Sequence, residues 1–178
     1  MTDISPPTSA PHWDELDRNA QELIPALAKQ QLMLATAESC TGGLICGLLT
    51  GIPGSSDVID RGFVTYSNEA KQDLVNVTAA SLENYGAVSP QVAAEMAAGA
   101  LANSRADIAI SVTGIAGPGG GTPQKPVGTV HFGLAIKGQD VRTFSALFEA
   151  MDRTDVRLAS VAYCLKLISN FLCMPKGR

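Results

Sequence analysis

The sequence predicts a three-layer α/β/α sandwich on a mixed, mainly parallel sheet, and three observations carry that prediction. Short apolar runs alternate with helix-periodic segments up to about residue 113, as in βαβ units. Two further strand-like runs then follow one another as a hairpin, which adds antiparallel strands to a parallel core. Hydrophobic residues make up 46% of the chain but aromatics only 5%. The core must therefore be Ala, Val, Leu and Ile, a composition suited to helices lying close on a sheet. A length of 178 residues fits one domain with one sizeable core.

Residues 1–12 are rich in Pro, Ser and Thr and lack a basic then apolar leader. They read as a flexible N-terminal arm rather than a signal peptide, with a single domain over 13–178. Trp13 to Gln31 predicts an amphipathic helix, with Leu16, Ala20, Leu23, Ile24 and Leu27 at helical spacing and Pro25 inside it. Leu32 to Thr36 reads as a buried strand. Val58 to Tyr66 reads as a second. A short helix follows over Asn68 to Val75 with Asn68 as its cap, and Thr78 caps another that ends at Gly86. Ser89-Pro90 starts a small-residue helix over Gln91 to Asn103. Ile108 to Thr113 is an apolar strand. Val127 to Ile136 and Val141 to Phe148 form the hairpin, turning at Lys137 to Asp140, and Asp152 caps a last helix from Arg153 to about Leu172.

Charge and composition exclude several classes. A net charge of −4 and few aromatics argue against a nucleic-acid binder. No segment has the length and purity of a membrane span, so a cytoplasmic protein is expected. Cys40, Cys46, Cys164 and Cys173 have no zinc-ligand spacing and lie in apolar stretches, which predicts buried reduced thiols. No acid or histidine cluster has metal-ligand spacing. Neither a metal nor a cofactor is assigned.

Three stretches can carry chemistry. Ala37-Glu38-Ser39-Cys40-Thr41-Gly42-Gly43 joins a strand to a helix. A hydroxyl there stands at the sheet edge where α/β sites form, and the helix N-terminus beyond offers N–H donors to an oxyanion. A plain helix cap by Ser39 or Thr41 is the commoner role of such residues. A serine nucleophile needs a base, and the only histidines are His12 in the arm and His131 in the hairpin. Lysine is another solution when burial leaves it neutral. Lys71 stands at the next strand-to-helix junction, after Tyr66, and adjacent parallel strands would bring it to Ser39. Taken singly, Lys71 reads more readily as a solvated lysine on a short helix. Cys40 is a rival nucleophile, since a thiol at a helix N-terminus can have a lowered pKa, but Ser39 is preferred. Last, Gly114 to Gly121 contains five glycines in eight residues after a strand with Thr113 at its base. It fits a phosphate cradle, a closing loop or a flexible connector, and it is neither a Walker A loop nor a Rossmann fingerprint.

These stretches resemble one family. Ala37 to Gly43, Arg61 to Lys71, Gly86-Ala87-Val88-Ser89, and Ser111 to Gly120 leading to Lys125-Pro126-Val127-Gly128-Thr129-Val130 are similar, in order, to four signatures of the CinA C-terminal domain family. That family includes PncC-type nicotinamide mononucleotide deamidases (nicotinamide-nucleotide amidases). The resemblance runs from about the first helix to the last. It implies the CinA C-terminal-like α/β fold and hydrolysis of nicotinamide mononucleotide to nicotinic acid mononucleotide and ammonia, a pyridine-nucleotide salvage step in NAD metabolism. It implies a Ser-Lys dyad of Ser39 and Lys71, with Tyr66 as a third catalytic residue. Substrate binding falls on Thr41, Gly42, Gly43, Thr113, Gly114, Gly117, Gly119 and Gly120. It also implies a homodimer. Longer family members carry an N-terminal domain linked to pyrophosphatase activity, which 178 residues leave no room for. The run Glu149-Ala150-Met151-Asp152-Arg153 lacks a glycine that the family often shows there, while Arg153 and Arg157 remain available. An amidase for another small amide and a non-catalytic nucleotide-binding or competence-linked module are the alternatives.

Overall fold

The computed structural model describes residues 5–173. Its elements run α1 (Trp13–Gln30), β1 (Leu34–Glu38), α2 (Leu44–Thr50), a 3-10 turn (Ser55–Asp57), β2 (Ile59–Val64), α3 (Asn68–Val75), α4 (Ala79–Tyr85), α5 (Pro90–Ala102), β3 (Ile108–Gly114), β4 (Thr129–Ile136), β5 (Arg142–Leu147) and α6 (Arg153–Leu172). The sheet order is β2-β1-β3-β4-β5. β1 pairs parallel with both β2 and β3, while β3–β4 and β4–β5 are antiparallel. Only β4 therefore runs against the other four strands, which is the mixed, mainly parallel sheet expected.

Alternation along the strands explains the three layers. Leu34, Ile108, Ile110, Val112, Val130 and Phe132 face the large aliphatic residues of α1, α2 and α6. Ala35, Ala37, Ala109 and Ala135 face α3 and α5. The second face is built to let α5 come close: a Cβ added at Gly133 would lie 2.3 Å from the Ala93 carbonyl oxygen. Ser111 on the same face donates its hydroxyl to that carbonyl at 2.6 Å.

Most caps follow the sequence. Thr78, Ser89 and Asp152 each accept a first-turn N–H, and Pro90 opens α5. The cap of α3 is Ser67, not Asn68: its hydroxyl accepts from the Ala70 N–H at 3.0 Å, and Asn68 is the first helical residue. Pro25 stays inside α1. Ala150 adopts φ +57°, the region glycine takes more readily, where the family often has one. The described part of the N-terminal arm is held against the fold rather than lying loose: Pro11 is buried, and Lys166 donates to the Ser5 carbonyl at 2.9 Å. Residues 1–4 of that arm and 174–178 of the domain lie outside the described residues. All four cysteines are free, but only Cys40 and Cys164 are buried; Cys46 is half-buried and Cys173, at the end of α6, is exposed. No helix among the described residues is long and apolar enough to cross a membrane.

Candidate active site

Because β1, β2 and β3 are parallel, their C-terminal ends meet at one sheet edge, with Glu38 opposite both Val64 and Val112. Ser39 follows β1 directly, and its N–H extends the ladder to the Val112 carbonyl at 3.0 Å. The chain then turns through Gly42 and Gly43, whose φ values of +62° and +96° suit glycine. α2 begins only at Leu44.

Glu38 holds this turn. Its buried carboxylate accepts the hydroxyls of Thr36 (3.2 Å) and Thr41 (2.7 Å), and the N–H groups of Gly43 (3.0 Å), Ile45 (3.1 Å) and Cys46 (2.9 Å). The free donors expected at the start of α2 are thus occupied by the protein's own carboxylate. Thr41, Gly42 and Gly43 do not line the cavity beside Ser39. Within this turn Ser39 and Gly42 donate their N–H to backbone carbonyls and Gly43 donates to Glu38, whereas Cys40 and Thr41 have no backbone carbonyl acceptor among the described residues.

The second strand end supplies the lysine. Thr65 donates its N–H to the Glu38 carbonyl at 2.8 Å, the chain turns at Ser67, and α3 carries Lys71 back over the edge. The Lys71 ammonium nitrogen lies 3.0 Å from Ser39 Oγ, 2.8 Å from the Thr65 carbonyl and 3.4 Å from the Tyr66 carbonyl. Lys71 is 1% exposed and Ser39 8%. Burial pushes the Lys71 pKa below its ordinary value. Burial also lifts the Cys40 thiol to about 12, with the Glu38 charge adding to the rise and its own N–H, Lys71 and Arg157 opposing it. A group so raised is a thiol at neutral pH and a poor nucleophile.

A cavity of about 220 Å³ opens on the pair, lined among others by Tyr66, Asn68, Val88, Thr113, Gly114 and Arg153. Tyr66 enters in two ways: its carbonyl holds Lys71, and its exposed ring carries a hydroxyl that accepts from Arg153 Nη2 at 3.1 Å. Thr113 is buried and donates to the Ala87 carbonyl at 2.8 Å. Of the glycines in the glycine-rich stretch, only Gly114 lines the cavity with Ser39; Gly117, Gly119 and Gly120 do not. Gly117 is instead an anchor, its carbonyl accepting from Arg153 Nη1 at 2.7 Å. Lys125, further along the same loop, donates to the Tyr85 and Val88 carbonyls at 2.7 Å each. Two roomier depressions, of about 380 and 410 Å³, lie between α1 and α6 and at the opposite end of the sheet, and neither reaches Ser39 or Lys71.

Sequence reasoning assigned no role to Glu38, nor to Arg157, which donates to the carbonyls of Cys40 (3.2 Å) and Thr41 (3.0 Å). An acid inside an apolar strand, followed by Thr and paired glycines, was the available signal for Glu38. Arg157 carried none, because its contacts span 116 and 117 residues of sequence.

Residues 16–172 match the family described as the CinA C-terminal domain. Among curated relatives, the nicotinamide-nucleotide amidohydrolase PncC of Enterobacter agglomerans is 52% identical over 82% of this chain and 88% of its own. A competence-damage inducible protein of Caldicellulosiruptor bescii is 52% identical over 80% of this chain, which spans only 34% of that relative's length. The crystal structure of the competence/damage inducible protein CihA from Agrobacterium tumefaciens superposes with a TM-score of 0.87 at 46% identity, covering 93% of this chain and 98% of that one. With its four signatures, its α/β sheet and a family match over most of its length, the chain belongs to the CinA C-terminal domain family.

Proposed function

We propose that this protein hydrolyses the carboxamide of nicotinamide mononucleotide, releasing nicotinic acid mononucleotide and ammonia in pyridine-nucleotide salvage. The observation that carries the reading is the buried pair of Ser39 Oγ and Lys71 Nζ at 3.0 Å. The relative from Enterobacter agglomerans, named for this activity over nearly its whole length, supports the substrate. The reading includes a cytoplasmic protein that needs neither nucleic acid nor membrane, as charge and composition imply, and a homodimer, as the family resemblance implies.

In its neutral form Lys71 has two N–H bonds and one lone pair. The carbonyls of Thr65 and Tyr66 take the N–H groups, and the lone pair is left for the Ser39 hydroxyl. Ser39 Oγ attacks the carboxamide carbon while its proton passes to Lys71. The N–H of Cys40, the residue of this turn that lines the cavity beside Ser39, holds the oxyanion. The C–N bond then breaks, and Lys71 returns the proton to the departing amine as ammonia. Water attacks the resulting ester, gives its proton to Lys71, and the proton goes back to Ser39 as the acid leaves. Tyr66 positions Lys71 through its carbonyl and borders the substrate with its ring.

Ammonia release from the mononucleotide by the wild-type protein, with free nicotinamide as control, tests this reading. Ser39→Ala and Lys71→Ala are each expected to lose about a thousandfold or more. Activity surviving in Ser39→Ala would remove the serine from the mechanism. The pH profile provides a second check. Catalysis needs neutral Lys71 and burial lowers its pKa, so kcat/KM is expected to rise with pH through that lowered value and then level off. A profile that falls with rising pH instead would rule out a lysine base.

A further inference from the structure

The cavity has two ends of different character. Ser39 and Lys71 form its closed end, whereas Tyr66 is 61% exposed and Arg153 is exposed at the open end. Among the described residues no carboxylate lines it, and the basic side chains that do are Lys71 and Arg153. Lys71 is already committed to Ser39 and two carbonyls.

Arg153 is held but not neutralised. Its guanidinium donates to the Gly117 carbonyl and the Tyr66 hydroxyl, both uncharged, which leaves three of its five N–H donors. One turn along α6, Arg157 points at the carbonyls of Cys40 and Thr41. The ion pairs found among the described residues both use Asp60, with Arg61 and Arg105, and neither involves these two arginines. The nearest acid in sequence, Asp152, accepts the Asp155 N–H as the cap of α6. In a chain of net charge −4, two arginines without carboxylate partners on the helix face beside the cavity make a local positive field.

We propose that Arg153 binds the phosphate of the substrate and is the residue that selects a phosphorylated amide over its unphosphorylated form. This rests on the amidase reading above. The amide of a mononucleotide and its phosphate lie on opposite sides of the ribose. An amide seated at Ser39 therefore sends the phosphate outward, toward the open end where the planar guanidinium fork stands. Arg157 acts elsewhere. Its two bonds prop the carbonyls of the Ser39 turn, so its loss acts on every substrate alike.

The test compares nicotinamide mononucleotide with nicotinamide riboside, the same amide without phosphate, on the wild type, Arg153→Ala, Arg153→Lys and Arg157→Ala. Arg153→Ala is expected to lower kcat/KM for the mononucleotide about 10- to 100-fold more than for the riboside, the extra loss falling mainly on KM. Arg153→Lys restores part of the loss, as a charge without the fork should. Arg157→Ala lowers both substrates together. Equal losses on both substrates in Arg153→Ala would overturn the proposal and make Arg153 only a clasp for Gly117 and Tyr66. If the wild type hydrolyses neither compound, the amidase reading fails, and calorimetric titration of the mononucleotide then decides the anion site separately. Binding weakened about tenfold or more in Arg153→Ala sustains it. Equal binding to both proteins, or none to either, overturns it.

Discussion

Two glycine-rich segments leave the same sheet edge, the turn at 39–43 after β1 and the loop at 115–128 after β3, and they are built on opposite principles. In the first turn the polar groups converge on one buried acid: Glu38 gathers two hydroxyls and three N–H groups. The second segment has no such hub and is clasped from outside by Arg153 and Lys125. Two of its glycines answer to crowding within the loop: a Cβ on Gly117 would stand 2.6 Å from Val127 Cγ1 and one on Gly121 2.8 Å from the Val127 nitrogen. Glycine thus serves left-handed backbone at Gly42 and Gly43 in the first segment and crowding against Val127 at Gly117 and Gly121 in the second, while the chemistry follows the buried acid.

Breaking the hub should have the largest effect. Glu38→Ala strands the N–H groups of Gly43, Ile45 and Cys46, and unsatisfied buried donors cost about 1–3 kcal/mol each. A stability loss of about 3 kcal/mol or more is expected in denaturant unfolding. The Ser39 hydroxyl would also drift from Lys71, and misplacement on the order of 1 Å costs roughly 100-fold in rate. A folded Glu38→Ala protein with unchanged stability and rate would show that the turn holds itself.

The asymmetry between the two segments explains what was legible in the sequence. Strand positions followed from apolar runs, and Thr78, Ser89 and Asp152 from cap chemistry, because these are local signals. Ser39 and Lys71 were legible as a pair because adjacent parallel strands bring successive strand ends together. Asn68 misled as a cap because Ser67, one residue earlier, offers an equally good oxygen. Glu38 was given no role because α2 begins six residues later and the acid reaches its N–H groups from the preceding strand. No periodicity encodes that reach. In the glycine loop, composition showed backbone freedom but not the Val127 neighbour that crowds Gly117 and Gly121.

Releasing the outer clasp should have a middle-sized effect. Lys125→Met removes two bonds of 2.7 Å to the Tyr85 and Val88 carbonyls, both near the cavity wall formed by Ala87 and Val88. Hydrogen bonds to a charged group in a half-exposed setting contribute about 1–2 kcal/mol together, a fall of about 2–6 °C in Tm for a chain of this size. KM should rise while kcat stays close to the wild-type value, because Ser39 and Lys71 keep their own supports. A fall in kcat with unchanged KM would show that the clasp reaches the dyad.

The smallest effect sharpens the comparison most. Gly119 stands in the middle of the glycine run, and a phosphate cradle there would need its bare backbone. Its φ lies outside the left-handed region, a Cβ added to it meets nothing within 4 Å, and it does not line the cavity. Gly119→Ala should therefore leave stability within about 0.5 kcal/mol. It should also leave KM for the mononucleotide unchanged, since the anion contact falls on Arg153 instead. A several-fold rise in KM with stability unaltered would return the loop backbone to the substrate, and the contrast between the two segments would then be one of degree.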